Sequence, residues 1–540
     1  MLKRAWKPFL VTTTVIGVPA YYYYRYSAGK PTSETFDLPI RSRDSSGKVV
    51  MTSRTFPLLS KEQADARLSE HATFKATPRP DGLIWKHATA YVASNSPIED
   101  AYASALIPRN PSDRAYPGDL LFYAILDGHG GYDTSRLLSQ VLIPAVTLEL
   151  HQLRNGSSAT TSSSGGMQYL RSLLYPTPNS SLGPLDADPE RVAHAIQTAF
   201  INLDQELTSA PLRILAEHAD KLAIQKGAIP DLSQHPMALA SMLPAMSGSC
   251  AIMALFDTAH QNLYVACTGD CRAVAGVYEE TEDGKGSWRV EVLSEDQTGE
   301  NPNEIKRVQS EHPRDERDSV IRRGRVLGGL QPTRAFGDAR YKWSREVQEI
   351  LSKAFLHGND HSMRAAPAAL RTPPYVTSRP EVTHRKFSFL PSSDSPTKPK
   401  SALRFVVLAT DGLWDELTSE EVVALVGGHL MGLKGTVPKT TLPSVVRTTI
   451  GTPTLDGKNI KREEAKGAWA FVDENVGTHL IRNALGGANE EKLRELLSIP
   501  APYSRNHRDD ITVTVVWWED GREKDVGAST SGDQKVRSKL

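Results

Sequence analysis

The chain has 540 residues, and its 63 Lys and Arg balance its 63 Asp and Glu, so the formal net charge is zero. That balance excludes a general polyanion binder, and 39% hydrophobic with 23% charged residues excludes a polytopic membrane protein. Only 3 cysteines, Cys250, Cys267 and Cys271, exclude a disulfide scaffold, and none pairs with a histidine at zinc-finger spacing.

From the N-terminus, residues 1–26 contain no Asp or Glu; Lys3, Arg4 and Lys7 precede an apolar run from Phe9 to Ala20, then Tyr21–Tyr24 and Arg25. The run is shorter than the roughly 20 apolar residues that span a bilayer core, unless the tyrosines act as an interfacial belt. No small-residue cleavage pattern follows, as a secretory signal would require. The expectation is a mitochondrial targeting segment or a single N-terminal membrane segment, read by import receptors. Residues 27–84 are polar and Pro-punctuated, which predicts an arm with one helix near Lys61–His71 and regular structure only from about Gly82. Residues 85–518 are expected to form one large domain, interrupted by insertions at Asn155–Gly166, Pro176–Pro189, Ser392–Lys400 and Gly435–Arg462. Residues 519–540 form a polar tail ending in Ser538-Lys539-Leu540, a peroxisomal address that would compete with the first one.

Within the large domain, apolar runs bounded by turn residues predict strands at Leu120–Leu126, Cys250–Phe256, Asn262–Cys267, Arg272–Val277, Arg404–Ala409 and Ile511–Trp517. Spacing of three and four predicts helices over Tyr132–Leu150, Glu190–Leu207 and Ser419–Leu430. Strands and helices of comparable extent define a mixed α/β domain.

The aspartates fall at the ends of these strands. LLFYAIL runs into Asp127-Gly128-His129, RFVVLAT into Asp411-Gly412 with Asp415 following, NLYVACTG into Asp270, and Arg508-Asp509-Asp510 precedes ITVTVVWW. A single Asp after a strand is ordinary turn chemistry. Four such junctions meeting in space would repel one another unless a cation compensates. Oxygen-only donors select a hard metal, magnesium or manganese, rather than zinc.

With these motifs in hand, the chain resembles the PPM-type (type 2C) metal-dependent Ser/Thr protein phosphatases. DGHGG (127–131), SGSCA (247–251), TGDCRAV (268–274), ATDGLWDEL (409–417) and RDDITV (508–513) stand in that family's order. NSPIEDAYA (95–103), LGGLQPTRAFGDARYKW (327–343) and PPYVTSRPEVTH (373–384) resemble its mitochondrial pyruvate dehydrogenase phosphatase branch. The resemblance implies a central antiparallel β-sandwich flanked by α-helices, with two Mg2+ or Mn2+ ions at one end. It implies that Asp127 bridges both ions, that Gly128 offers its carbonyl, and that Asp411 and Asp509 hold the second. Glu99 would complete the site directly or through water, with Asp100 nearby, and Asp270 and Asp415 would hold a third ion. A water activated by the ions would attack phosphoserine or phosphothreonine, and His129 would protonate the leaving oxygen. The implied partner is a phosphoprotein, with the pyruvate dehydrogenase complex as the branch's target. Many members carry an arginine four residues before the glutamate to grip the phosphate; here that position is Asn95.

Other residues attract plainer expectations. Arg334 and Asp338, in TRAFGD, are expected to buttress the core through hydrogen bonds, with contact to substrate phosphate as the alternative. His312 is left open between local packing and chemistry, and the cysteines are expected to be structural. A catalytically silent scaffold of the same fold is the alternative, opposed by the presence of Asp127, Asp411 and Asp509. A nuclease-like hydrolase lacks the basic, aromatic-rich surface that nucleic acid requires.

Overall fold

All ten residues of the strand Gly248–Asp257 are buried, and their side chains divide by parity between two cores. Cys250, Ile252, Ala254 and Phe256 enter one core, and Ala251, Met253 and Leu255 enter another. A strand covered on both faces reads as a continuous apolar run instead of an alternating one, which is why these strands were legible as runs. In the computed structural model the described residues are 34–43, 46–79, 82–108, 118–154, 188–218, 220, 227–281, 286–389, 400–455 and 466–521. The segment 1–26, the Asn155–Gly166 insertion, the tail Ser538–Leu540 and most of the insertions at Pro176–Pro189 and Ser392–Lys400 lie outside them. Among the described residues no helix is long and apolar enough to cross a membrane.

Two sheets form the centre. A seven-stranded sheet runs in the order Thr448–Ile450, Ser287–Val292, Arg272–Glu279, Ser401–Ala409, Ile511–Asp520, Leu83–Val92 and Thr73–Pro78. A second sheet runs Glu381–Lys386, Asn262–Thr268, Gly248–Asp257, Asp119–His129 and Ala101–Pro108, with Phe336–Gly337 paired to the start of Gly248–Asp257. Within these sheets neighbours are antiparallel, apart from the parallel pair Ser287–Val292 and Thr448–Ile450. The core between the sheets takes Trp85, Leu403, Val406, Val516 and Trp518 from the first and Tyr123, Ile125, Ile252, Phe256 and Val265 from the second. Its centre is aromatic: the Trp85 ring lies 5.2 Å from Phe256 and 4.9 Å from Trp518. Burying each such side chain is worth about 1.5–3 kcal/mol in transfer free energy.

Helices close the outer faces. Asp133–Arg154 and Pro189–His218 pack on the second sheet. Ser419–Leu430, Val476–Leu485, Glu490–Ser498 and Lys61–Ser69 pack on the first. The layering is helix, sheet, sheet, helix, as the family resemblance implies. The helix Ser419–Leu430 has the predicted bounds because a capping box fixes its start, with Thr418 accepting from the Glu421 N–H and Glu421 accepting from the Thr418 N–H.

The polar arm is corrected. Among the described residues regular structure begins at Thr35, well before Gly82, with the antiparallel strands Thr35–Arg43 and Val49–Pro57. Only isolated residues such as Leu38 and Phe56 are buried there, against Ile499, so the segment offers no apolar run to the eye. Thr73–Pro78 then adds an edge strand to the seven-stranded sheet. The strands Leu83–Val92 and Ala101–Pro108 were also not predicted; each splits its side chains between faces with small alanines, which weakens the apolar signal.

The helix Val476–Leu485 buries His479 completely, beside the rings of Phe471 at 4.7 Å and His429 at 5.2 Å. Burial, reinforced by the nearby His429, pushes its pKa down to about 3. The unfolded chain takes up a proton below its ordinary value of 6.5, whereas the folded chain does not until pH falls to about 3. Stability is therefore lost as pH drops through that window, by about 2 kcal/mol between pH 6.5 and 5 from this group alone. Replacing His479 by Leu should remove that part of the acid sensitivity. Urea midpoints of variant and wild type at pH 7.5 and 5 check this; parallel losses in both proteins would reject it.

Candidate metal centre

Continuing the parity of Leu121, Tyr123 and Ile125 puts Asp127 on the face between the two sheets, where the strand Asp119–His129 runs out. The strand extends past the predicted end at Leu126, and Asp127 pairs opposite Cys250 in the ladder. Asp270 follows the glycine-containing turn after Asn262–Thr268, and Asp411 opens a short helix, Asp411–Trp414, directly after Ser401–Ala409. Asp127, Asp270 and Asp411 thereby bring one carboxylate oxygen each within 4.8 Å of one another. The Asp411 N–H points at Asp127 Oδ2 over 3.4 Å.

These carboxylates line a cleft of about 640 Å³ together with His129, Asp415 and Asp509. Burial, followed by the charges of Asp411, Asp100 and Asp270, drives the Asp127 pKa well above the ordinary carboxylate value. Such repulsion is what a divalent cation reverses. With hard oxygen donors converging and no histidine or cysteine sulfur among the three, the group suits magnesium or manganese.

Glu99 is brought to the rim. Its Oε1 accepts from the Gly131 N–H at 2.7 Å and its Oε2 from Asn95 Nδ2 at 3.3 Å. Gly128 has no alternative at its position, because a Cβ there would collide with the Glu99 carbonyl oxygen. Asp100 lies underneath, 7% exposed, with Oδ2 accepting from the hydroxyls of Thr410 (3.1 Å) and Thr512 (2.8 Å). Burial and the neighbouring Asp510 push its pKa up to about 8.

Asp510 is a residue the sequence did not single out for a role. Its Oδ1 accepts from the Ser94 N–H (2.5 Å) and the Asn95 N–H (2.9 Å), and its Oδ2 from the Glu99 N–H (3.0 Å) and Asn95 Nδ2 (3.0 Å). It ties the loop carrying Glu99 to the segment carrying Asp509, just ahead of the strand Ile511–Asp520. The doubled aspartate before ITVTVVWW was the available signal.

Asp338 is placed differently from the expectation of a core buttress. Its Oδ2 meets His129 Nε2 at 2.7 Å, and its backbone is left-handed, with φ 50°. Gly248, opposite His129 in the ladder, makes room for the pair, since a Cβ there would strike both His129 Nε2 and the Asp338 carboxylate. Burial opposes a charged imidazole, but the Asp338 carboxylate, together with the charges of Asp270 and Glu99, outweighs it, so the His129 pKa lies above its ordinary value. Arg334 and His312 keep their plainer roles: Arg334 pairs with buried Glu304 at 2.6 Å, and His312 stacks on Tyr375 at 4.2 Å. Cys250 is buried, and its thiol donates to Asp270 Oδ1 at 3.1 Å.

The comparisons with known proteins agree with this geometry. A protein phosphatase 2C family model matches residues 191–434. A protein phosphatase 2C homologue of Schizosaccharomyces pombe is 35% identical over 451 residues, covering 82% of this chain and 82% of that protein. The mitochondrial [pyruvate dehydrogenase [acetyl-transferring]]-phosphatase 1 of Saccharomyces cerevisiae is 33% identical, covering 88% of this chain and 76% of its own length. The human mitochondrial phosphatase 2 of the same name is 31% identical, covering 88% of this chain and 85% of its own. The chain belongs to the protein phosphatase 2C family, and so to the metal-dependent protein serine/threonine phosphatases.

Proposed function

We propose that this protein removes phosphate from serine and threonine of the phosphorylated pyruvate dehydrogenase complex in mitochondria. The observation that carries the chemistry is the meeting of Asp127, Asp270 and Asp411 within 4.8 Å, in a cleft that also holds His129. The substrate and the compartment rest on the likeness to the yeast and human pyruvate dehydrogenase phosphatases.

Asp127, Asp411, Asp509 and the Gly128 carbonyl would hold magnesium or manganese, with Glu99 at the rim and Asp100 beneath, and Asp270 and Asp415 would hold a further ion. A bound cation supplies Lewis acidity that activates water and offsets the charge of the phosphoryl group. The remaining work falls to the chain. Asp338 engages His129 Nε2, which leaves Nδ1 to deliver a proton to the departing serine oxygen. A serine alkoxide is a poor leaving group, so that proton matters to the rate. The silent-scaffold alternative is disfavoured by the intact acidic group.

The test uses the full chain, a phosphoserine peptide and the phosphorylated dehydrogenase component. Hydrolysis of both with Mg2+ or Mn2+, abolished by a chelator and restored by adding the ion back, is the expected result. Hydrolysis of the peptide without the dehydrogenase component rejects the substrate, and hydrolysis of neither rejects the enzyme.

A further inference from the structure

A substrate phosphate must enter a cleft walled by carboxylates, and at position 95 the arginine expected to receive it is missing. Asn95 does not serve instead. Its side-chain amide is neutral and donates to Asp510 Oδ2 at 3.0 Å and Glu99 Oε2 at 3.3 Å, so it is spent on holding the loop. Among the described residues, the guanidinium groups lining the cleft are those of Arg325, Arg340, Arg364 and Arg505.

Two of these are engaged in their own wall. Arg325 donates to the Gly329 carbonyl at 3.3 Å and Gln331 Oε1 at 3.0 Å. Arg340 donates to the Ala365 carbonyl at 2.8 Å and the Tyr341 hydroxyl at 3.3 Å. Arg364 has no tie to the carboxylates that would fix where it points.

Arg505 stands elsewhere. It lies in the short 3-10 turn Ser504–Asn506, four residues before Asp509, and forms an ion pair with that carboxylate. The turn is fastened to the very loop that carries Asn95. The Ser504 hydroxyl donates to the Ser94 carbonyl, and the Ser94 hydroxyl returns a bond to the Arg508 carbonyl at 2.7 Å. Ser504 is 1% exposed, so the turn has a fixed seat, while the Arg505 side chain remains 45% exposed toward the cleft. A guanidinium is a planar fork matched to two phosphate oxygens. Once a cation draws on the Asp509 charge, that fork, paired with a member of the acidic group, is placed to turn to a phosphate.

We propose that Arg505 grips the substrate phosphate, the task the missing arginine at position 95 leaves open. The inference rests on the phosphatase reading above. Its test compares full-length wild type with Arg505→Gln and Arg505→Lys, all loaded with Mn2+, by three measurements: inorganic phosphate as a competitive inhibitor and by calorimetry, KM and kcat on a phosphoserine peptide, and the Mn2+ binding isotherm. A lost charge-assisted bond predicts that Arg505→Gln weakens phosphate binding about 10- to 100-fold. It should raise KM by a similar factor without lowering Mn2+ affinity, and Arg505→Lys should recover part of the loss. Unchanged phosphate affinity overturns the proposal. So does a fall in Mn2+ affinity that tracks the fall in phosphate affinity, since Arg505 would then only hold Asp509 in place. A wild type that binds phosphate calorimetrically but hydrolyses no phosphopeptide strikes at the phosphatase reading, and the calorimetric comparison still decides the role of Arg505.

Discussion

Asp127→Asn and Asp411→Asn should each lower Mg2+- or Mn2+-dependent hydrolysis of a phosphoserine peptide by about 10³-fold or more, the loss expected when several kcal/mol of cation chemistry is removed. The fold should survive. Asp127 is crowded by like charges, and burial already holds its pKa well up. Replacing it by a neutral amide of the same shape relieves repulsion that the folded chain bears without a cation. The urea midpoint of metal-free Asp127→Asn is therefore expected at or above that of metal-free wild type, while added Mn2+ stabilises wild type and not the variant. Stability and activity should thus move in opposite directions. Turnover close to wild type in either variant would remove the assignment of these carboxylates to the metal.

His129→Ala should lower kcat by about 10²–10³ on a phosphoserine substrate. On an aryl phosphate, whose leaving group needs no proton, the loss should be much smaller. Asp338→Asn is expected to show the same substrate dependence to a lesser degree, because Asp338 acts through its 2.7 Å contact with His129 Nε2. Combined with His129→Ala it should add nothing further, the signature of two residues acting as a unit. Equal losses on both substrates would mean that His129 positions water or metal instead of supplying the proton.

The centre of this fold could be read ahead of its edges for a physical reason. Strands buried on both faces, such as Gly248–Asp257, must be apolar at nearly every position, and that demand shows in the residues. The Thr35–Arg43 and Val49–Pro57 strands bury almost nothing, so their composition is free to look like a linker. The same contrast runs through the site. Asp127 and Asp411 announced themselves because each follows an apolar run and precedes a glycine. Asp338 did not, because its partner His129 is 209 residues away and its left-handed backbone leaves no mark on composition. Asp510 was hidden by its neighbour, since two adjacent carboxylates give no hint of which faces the loop and which the cleft.

The order of strands in the seven-stranded sheet has a consequence for the chain's life before it is complete. Ile511–Asp520, the last strand among the described residues, lies between Ser401–Ala409 and Leu83–Val92. Until it arrives, Leu83–Val92 has no partner joining it to the rest of the sheet, and both flanking strands present raw edges. Contacts that span more than 400 residues close last and slowly, at high contact order. A growing chain therefore holds Asp127, Asp270 and Asp411 long before it can lock the loop of Glu99, whose tether is Asp510. While its sheet is split, such a chain exposes apolar surface and unpaired strand edges, which favour aggregation. Nonsense or frameshift products that end before residue 511 should accumulate as aggregates rather than as weak enzymes.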